Sequence, residues 1–282
     1  MERQKTTFRV GTTSYIYPFD ILPNVHKLKG KVNDIELVLF ESGDTGNIPK
    51  AKDLKELKRI SNDWNLTYTV HLPLDINLGS SIRNERKRSV KRVGMFVERF
   101  RMLEPYAYVL HLNLPKQARV IEPWQHRVGG SLKKIADLGL TSPQNIVIEN
   151  LSYPFGYIDN LILESGFLIC VDIGHLILMG VDPLKHLKQY FSRTRLIHLH
   201  GVNGRKDHLS LKYFDMVLIR RLTRFLKGNR YDGVLTLEVF SQADFEESMD
   251  ILSRNLIKKE VRAGRQDSRN KLYKLINKSF SR

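Results

Sequence analysis

The sequence predicts a (β/α)8 barrel with a short basic C-terminal extension. Three observations predict it: β-branched runs recur along the chain, a charged segment with helical spacing follows each, and eight such units fit the roughly 250 residues that a barrel of this kind uses. A doubly wound sheet is the competing α/β arrangement. It would place a glycine-rich phosphate loop after the first strand, where this chain reads Gly11-Thr12-Thr13-Ser14.

In order, the expected strands are residues 8–14, 34–41, 66–73, 106–113, 145–151, 168–172, 194–200 and 233–240, with helical segments in the gaps. Between the second and third strands, residues 51–64 put Leu54, Leu57 and Ile60 on one face and Lys52, Lys55, Glu56 and Arg59 elsewhere, the stripe of a helix packed on a barrel. After the eighth strand, Ser241 followed three residues later by Asp244 reads as a helix N-cap with its acidic partner, and that helix should run to about Leu256. The barrel domain is therefore residues 1–257. Residues 258–282 form the extension, with nine basic side chains against Glu260 and Asp267. Leu272, Leu275, Ile276 and Phe280 recur there at helical spacing and predict a short helix docked on the body.

Composition narrows the function classes. Lys and Arg number 46 against 30 Asp and Glu, a formal charge of +16, while 41% hydrophobic and 27% charged residues exclude disorder as the main state. No apolar run approaches the roughly 20 residues that span a bilayer, and the start, Met1-Glu2-Arg3-Gln4-Lys5, is unlike a signal peptide, so a cytoplasmic protein is expected. Cys170 is the sole cysteine, which removes internal disulfides, zinc fingers and redox pairs.

In an α/β barrel the functional groups project from the C-terminal ends of the strands. The third strand ends in Val70-His71-Leu72-Pro73, the fourth in Leu110-His111-Leu112-Asn113 and the fifth in Ile148-Glu149-Asn150. The sixth gives Val171-Asp172-Ile173-Gly174-His175, the seventh His198-Leu199-His200 and the eighth Leu237-Glu238-Val239. Any one of these is as readily a core histidine or a surface carboxylate. As a set they are not, because carboxylates on apolar strands are costly to bury without a cation. Imidazole with carboxylate suits divalent zinc, manganese or ferrous iron, and bridging carboxylates let such a set hold one to three ions.

The order His, His, Glu, Asp-x-x-His, His, Glu over strands three to eight resembles the xylose-isomerase-like barrel superfamily, the AP endonuclease 2 family, across about residues 8–250. That superfamily includes endonuclease IV-type enzymes, which cut DNA at abasic sites with three zinc ions, and sugar isomerases and epimerases, which use one metal. The resemblance implies Glu149, Asp172, His200 and Glu238 as the metal core of both branches. It implies His71 and His111 as extra ligands of the multinuclear branch, with Glu149 bridging. His175, Asp207 and His208 correspond to a third site, although the endonucleases space that Asp and His by one residue and here they are adjacent.

A narrower resemblance rests on Gly11-Thr12-Thr13-Ser14-Tyr15-Ile16, Asp20-Ile21-Leu22-Pro23-Asn24-Val25 and Asp34-Ile35-Glu36-Leu37-Val38-Leu39-Phe40-Glu41. With residues 67–75, His198-Leu199-His200-Gly201-Val202 and Asp207-His208-Leu209-Ser210-Leu211, these segments resemble the cobamide-remodelling phosphodiesterases. That implies metal-dependent hydrolysis, with Zn2+ or Mn2+, of the nucleotide-loop phosphodiester of a vitamin B12-type corrinoid, giving cobinamide phosphate and an α-riboside. Glu149, His175, His208 and Glu238 are then the catalytic set. No Gly-x-Ser-x-Gly nucleophile elbow is present, which agrees with attack by water.

Weaker features complete the reading. Glu41 and Arg205 are candidate substrate contacts, and Glu36, like Glu41, is a candidate to support the site from behind. His198, one layer deeper than His200, is expected to be a core or supporting histidine; His26, His126 and His186 are expected at the surface, and Cys170 in the core. The basic cluster Arg83, Arg86, Lys87, Arg88, Lys91 and Arg92 is expected on a solvated helix face, with a lid over an anionic substrate as the functional alternative. Three other activities stay open: an abasic-site endonuclease, for which alone nucleic acid is the partner; a single-metal sugar or sugar-phosphate isomerase or epimerase; and a silent barrel binding RNA or anionic lipid, against which the intact ligand set argues. The positive charge favours the endonuclease weakly, since the extension alone carries a surplus of seven.

Overall fold

The computed structural model describes residues 7–44, 46–115, 117 and 119–257. Along the chain lie β1 (Arg9–Thr13), α1 (Ile21–Leu28), β2 (Asp34–Val38), α2 (Ala51–Trp64), β3 (Thr67–His71), α3 (Arg83–Phe100), β4 (Ala107–Leu110), α4 (Glu122–Asp137), β5 (Ile146–Glu149) and α5 (Asp159–Ser165). There follow β6 (Leu168–Asp172), α6 (Ile173–Leu178), α7 (Pro183–Tyr190), β7 (Thr194–Leu199), β8 (Gly201–Asn203), β9 (Lys206–Leu209), α8 (Met216–Gly228), β10 (Val234–Leu237) and α9 (Gln242–Ile257). Strands β1 to β7 and β10 form one closed parallel barrel, with β10 between β7 and β1. All eight barrel strands fall inside the segments expected from the sequence.

Alternation along the strands builds the site. Ala107, Val109, Val147, Cys170, Leu196 and Val234 form an apolar cluster apart from the layer between strands and helices. Two residues on from Val109, Val147, Cys170 and Leu196, with the same facing, come His111, Glu149, Asp172 and His198. The polar groups thus sit on an apolar plug, where the strands open toward their C-terminal loops. Burial pushes the Cys170 thiol well above its ordinary pKa, so it packs as part of that plug.

The helices follow the same logic. In α2 the buried residues are Leu54, Leu57 and Ile60. At the start of α9 the Asp244 amide donates to Ser241 Oγ (3.1 Å) while that hydroxyl donates to Asp244 Oδ2 (2.6 Å). Asp244 Oδ1 also accepts the Ser210 amide (2.9 Å), tying α9 to the chain that follows β9. Segment 74–92 is loop only as far as Ile82, after which α3 begins; Arg83, Lys87, Arg88 and Lys91 are exposed on it and Arg92 pairs with Asp75 (3.2 Å), the solvated face of the two alternatives. The antiparallel hairpin β8–β9 was not anticipated. Its two-residue turn starts at Gly204 with φ +62°, a conformation that favours glycine. Among the described residues no helix is long and apolar enough to cross a membrane. The basic extension, residues 258–282, lies outside the described residues.

Candidate metal centre

Among the described residues, four groups of side chains offer ligand atoms that lie within 4.8 Å of one another: His71, His111 and Glu149; Glu149, Asp172, His198 and Glu238; Glu149, Cys170 and His198; and His175, His200 and His208. Glu149 belongs to the first three, the third of which overlaps the second and adds only the thiol of Cys170. Glu149 Oε2 lies 3.0 Å from His111 Nε2, 3.5 Å from His71 Nε2 and 3.4 Å from His198 Nδ1, and its Oε1 lies 3.2 Å from His175 Nδ1. His198 Nδ1 is also 3.2 Å from Glu238 Oε2 and 3.9 Å from Asp172 Oδ2. The group of Glu149, Asp172, His198 and Glu238 is buried throughout.

Four of the histidines have a ring nitrogen against an oxygen of the protein, and in His71 and His198 the opposite nitrogen faces the cluster, as in metal-ligating histidines. His71 Nδ1 lies 3.0 Å from the Leu72 carbonyl, His175 Nδ1 3.1 Å from that of Asn150, and His208 Nδ1 3.2 Å from that of Glu238. His198 uses its other nitrogen, with Nε2 2.9 Å from Glu36 Oε2. Each N–H so donated fixes a tautomer and turns a lone pair away from the backbone.

His200 is placed differently. Its Nδ1 accepts the His208 amide at 3.0 Å, closer than its 3.4 Å approach to the Gly201 carbonyl. An imidazole that accepts at Nδ1 carries its proton on Nε2, and His200 Nε2 is 3.2 Å from both oxygens of Asp172. Asp172 is further fixed by the His175 amide, which donates to Oδ1 at 2.7 Å as the N-cap bond of α6, and by the Asn150 side chain, whose Nδ2 donates to the Asp172 carbonyl (3.0 Å) while its Oδ1 accepts the Asp172 amide (2.7 Å). His208 has φ +53°, a left-handed backbone rare for a side chain of this kind, and that bend turns its amide onto His200.

The charges fit a cation. Burial opposes the charge on Glu149 and Glu238, yet neighbouring histidines, His111 and His198 for the first and His198 for the second, hold both carboxyls well below the usual range. Burial likewise opposes protonation of His71, His175, His198 and His200, and the surrounding carboxylates, joined at His198 by Cys170, outweigh it, raising all four and bringing His175 to about 10. His198 Nδ1 and Glu238 Oε2 are buried without a hydrogen-bond partner. Two orphaned ligand atoms 3.2 Å apart among three carboxylates are what a divalent ion would satisfy, so the residues fit the metal that the sequence implies.

Several expectations are redistributed. His198 takes the place beside Glu149, Asp172 and Glu238 that the sequence reading gave to His200, because β6 and β7 pair Asp172 directly with His198 and leave His200 a layer nearer the mouth. His200 lies instead with His175 and His208. Among the described residues the ligand groups do not include Asp207, and Glu41 and Arg205 are exposed, Arg205 in the hairpin turn. Glu36 is fully buried behind His198. His186 is also buried, packed between Phe155 and Tyr190, where burial lowers its pKa to about 4.

The model of the xylose isomerase-like TIM barrel family matches residues 31–255. No curated protein matches the chain. Among solved structures, a D-tagatose 3-epimerase-like protein superposes with a TM-score of 0.74 at 21% identity, covering 90% of this chain and 100% of that one. Endonuclease IV from Thermus thermophilus gives 0.66 at 16%, covering 89% and 99%, and the IOLI protein, solved with a bound zinc atom, gives 0.69 at 13%, covering 91% and 100%. At these identities the likeness speaks for the fold alone.

Proposed function

The chain belongs to the xylose isomerase-like TIM-barrel family, and from that premise we propose that it is a metal-dependent phosphodiesterase hydrolysing the nucleotide-loop phosphodiester of cobamides to cobinamide phosphate and an α-riboside. The observation that carries the hydrolytic part is Glu149, a carboxylate shared by two adjoining ligand groups. A one-metal isomerase needs only one such group. The corrinoid substrate rests on the sequence segments at residues 11–16, 20–25, 34–41, 67–75, 198–202 and 207–211.

A phosphodiester resists attack because its negative charge repels the nucleophile. Divalent ions, Zn2+ or Mn2+, would supply neutralisation of the phosphate oxygens and acidification of the attacking water. In this reading His71, His111 and Glu149 hold one ion, and Glu149, Asp172, His198 and Glu238 another. Glu36 orients His198 from behind, and His200, on the mouth side, holds Asp172. His175 and His208 flank the mouth, each with Nδ1 near a backbone carbonyl, and with His200 would hold a third ion or would give up a proton to the leaving oxygen.

Abasic-site cleavage is the second reading, favoured by the same shared carboxylate, since two adjoining ion sites serve any phosphodiester. The deciding experiment is mass spectrometry of products after metal-loaded protein meets an adenosylated cobamide, with a chelator-treated control. Metal-dependent cobinamide phosphate and α-riboside are expected. Intact cobamide beside a cleaved abasic duplex would replace the proposal with the second reading, and conversion of a ketose or sugar phosphate would replace both.

A further inference from the structure

Beside the metal centre, at the same mouth of the barrel, the loops after β1, β2 and β10 enclose a cleft of about 480 Å³. Its walls are mainly the rings of Tyr15, Tyr17, Phe40 and Phe240. The rings form a chain that starts at the metal centre: His208 to Phe240 at 5.2 Å between centroids, Phe240 to Phe40 at 6.3 Å, and Phe40 to Tyr15 at 4.7 Å edge-on. Phe240 is 37% exposed, a large apolar ring open to the cleft. The Tyr15 hydroxyl is anchored on Asn47, whose amide donates in turn to the Val38 carbonyl (3.3 Å), so this wall is held in place before any ligand arrives. On the outer side Lys31 donates to the Tyr17 hydroxyl (3.0 Å) and Lys27 stands 5.1 Å over the Tyr17 ring, which puts positive charge at the rim.

We propose that this cleft is the subsite for the planar heteroaromatic base of the substrate, held between aromatic rings while the phosphodiester lies over the metal centre. The inference rests on the phosphodiesterase reading for the direction of the substrate. For the nature of the ligand it rests on the cleft itself. A sugar presents hydroxyls and would find few partners on these walls. A flat base presents the π-face that aromatic side chains stack on regardless of its hydrogen-bonding edge. The 5.2 Å step from Phe240 to His208 makes the cleft continuous with the metal centre.

The test is calorimetric titration of the full-length, metal-loaded protein with a benzimidazole α-riboside and with adenosine, using ribose as the control without a base. Both nucleosides should bind and ribose should not. Phe40→Ala and Tyr17→Ala should weaken the nucleosides roughly 10- to 100-fold, the loss of one base–ring stack. Phe240→Leu, which keeps the apolar volume and loses the π-face, should weaken them less, with the thermal transition of each variant as the check on folding. Nucleosides binding no better than ribose, or binding unchanged in folded variants, would overturn the subsite. Cobamide cleavage that persists without nucleoside binding removes the cleft and leaves the phosphodiesterase. Nucleoside binding lost in the variants, with the cobamide left intact, removes the phosphodiesterase and leaves the cleft.

Discussion

Glu36 Oε2 lies 2.9 Å from His198 Nε2 with both side chains fully shut off from solvent, and the opposite nitrogen of that ring faces Glu238 and Glu149. The carboxylate accepts the Nε2 proton and presents Nδ1, the arrangement that raises the basicity of a metal-ligating imidazole. Glu36→Gln keeps a hydrogen-bond acceptor of the same length and loses the charge. Metal affinity should fall on the order of 10- to 100-fold with the fold retained, read by competition against a chromophoric chelator. Equal affinity in wild type and variant would show that the pair only fills space.

Gly174 sits where a Cβ would come within 2.0 Å of His200 Cε1 and 2.5 Å of both ring nitrogens. The glycine is therefore what lets His200 reach Asp172. Gly174→Ala should displace the ring, release Asp172 from its 3.2 Å contact and weaken metal binding at the centre. The ring is fully buried, so the overlap should also lower the stability by the roughly 1–3 kcal/mol that overpacking costs. Elemental analysis of the purified variant checks this, and a full metal complement would remove His200 from the machinery.

Much of this was legible in the sequence, because strand ends in a barrel converge whatever the loops do. His71, His111, Glu149, Asp172 and Glu238 needed only the strand assignment and alternation. The choice between His198 and His200 did not follow, since both face inward and only the pairing of Asp172 with His198 decides which is level with the carboxylates. The hairpin had a signal in Asn203-Gly204, a turn pair that two short strands can share. The aromatic cleft had none, as Tyr15, Phe40 and Phe240 lie on three separate loops and meet only once the barrel closes.

The clustered imidazoles make metal loading a proton-coupled event. Burial disfavours charge on His175 and His198, but Asp172 and Glu149 around the first and Cys170, Glu238 and Glu36 around the second prevail, so without a metal His175 holds its proton up to about pH 10 and His198 is held well above the ordinary range. A ligating imidazole must be neutral. Loading at pH 7 should therefore release on the order of one proton per ion, and apparent affinity should rise with pH and fall with acid. Calorimetry in two buffers of different ionisation enthalpy measures the release, and equal heats in both would contradict the assigned protonation.

Asp34 carries the clearest stability prediction because it lies in the barrel wall and outside the ligand groups. Its carboxyl is fully buried; burial is the largest influence and outweighs the hydroxyls of Thr67 and Thr69, raising its pKa from 3.8 to about 7. The native state therefore binds more protons than the unfolded chain between these values, and this group makes stability fall as pH rises from about 4 to about 7, with no further loss above. A shift of that size corresponds to a few kcal/mol in order of magnitude. Asp34→Asn removes the ionisation and keeps an acceptor for the Thr67 hydroxyl, now 2.6 Å away. Urea midpoints of the chelated proteins at pH 5 and pH 8 should show the variant gaining on wild type at the higher pH. A difference that stays constant with pH would mean that Asp34 titrates as an ordinary carboxylate.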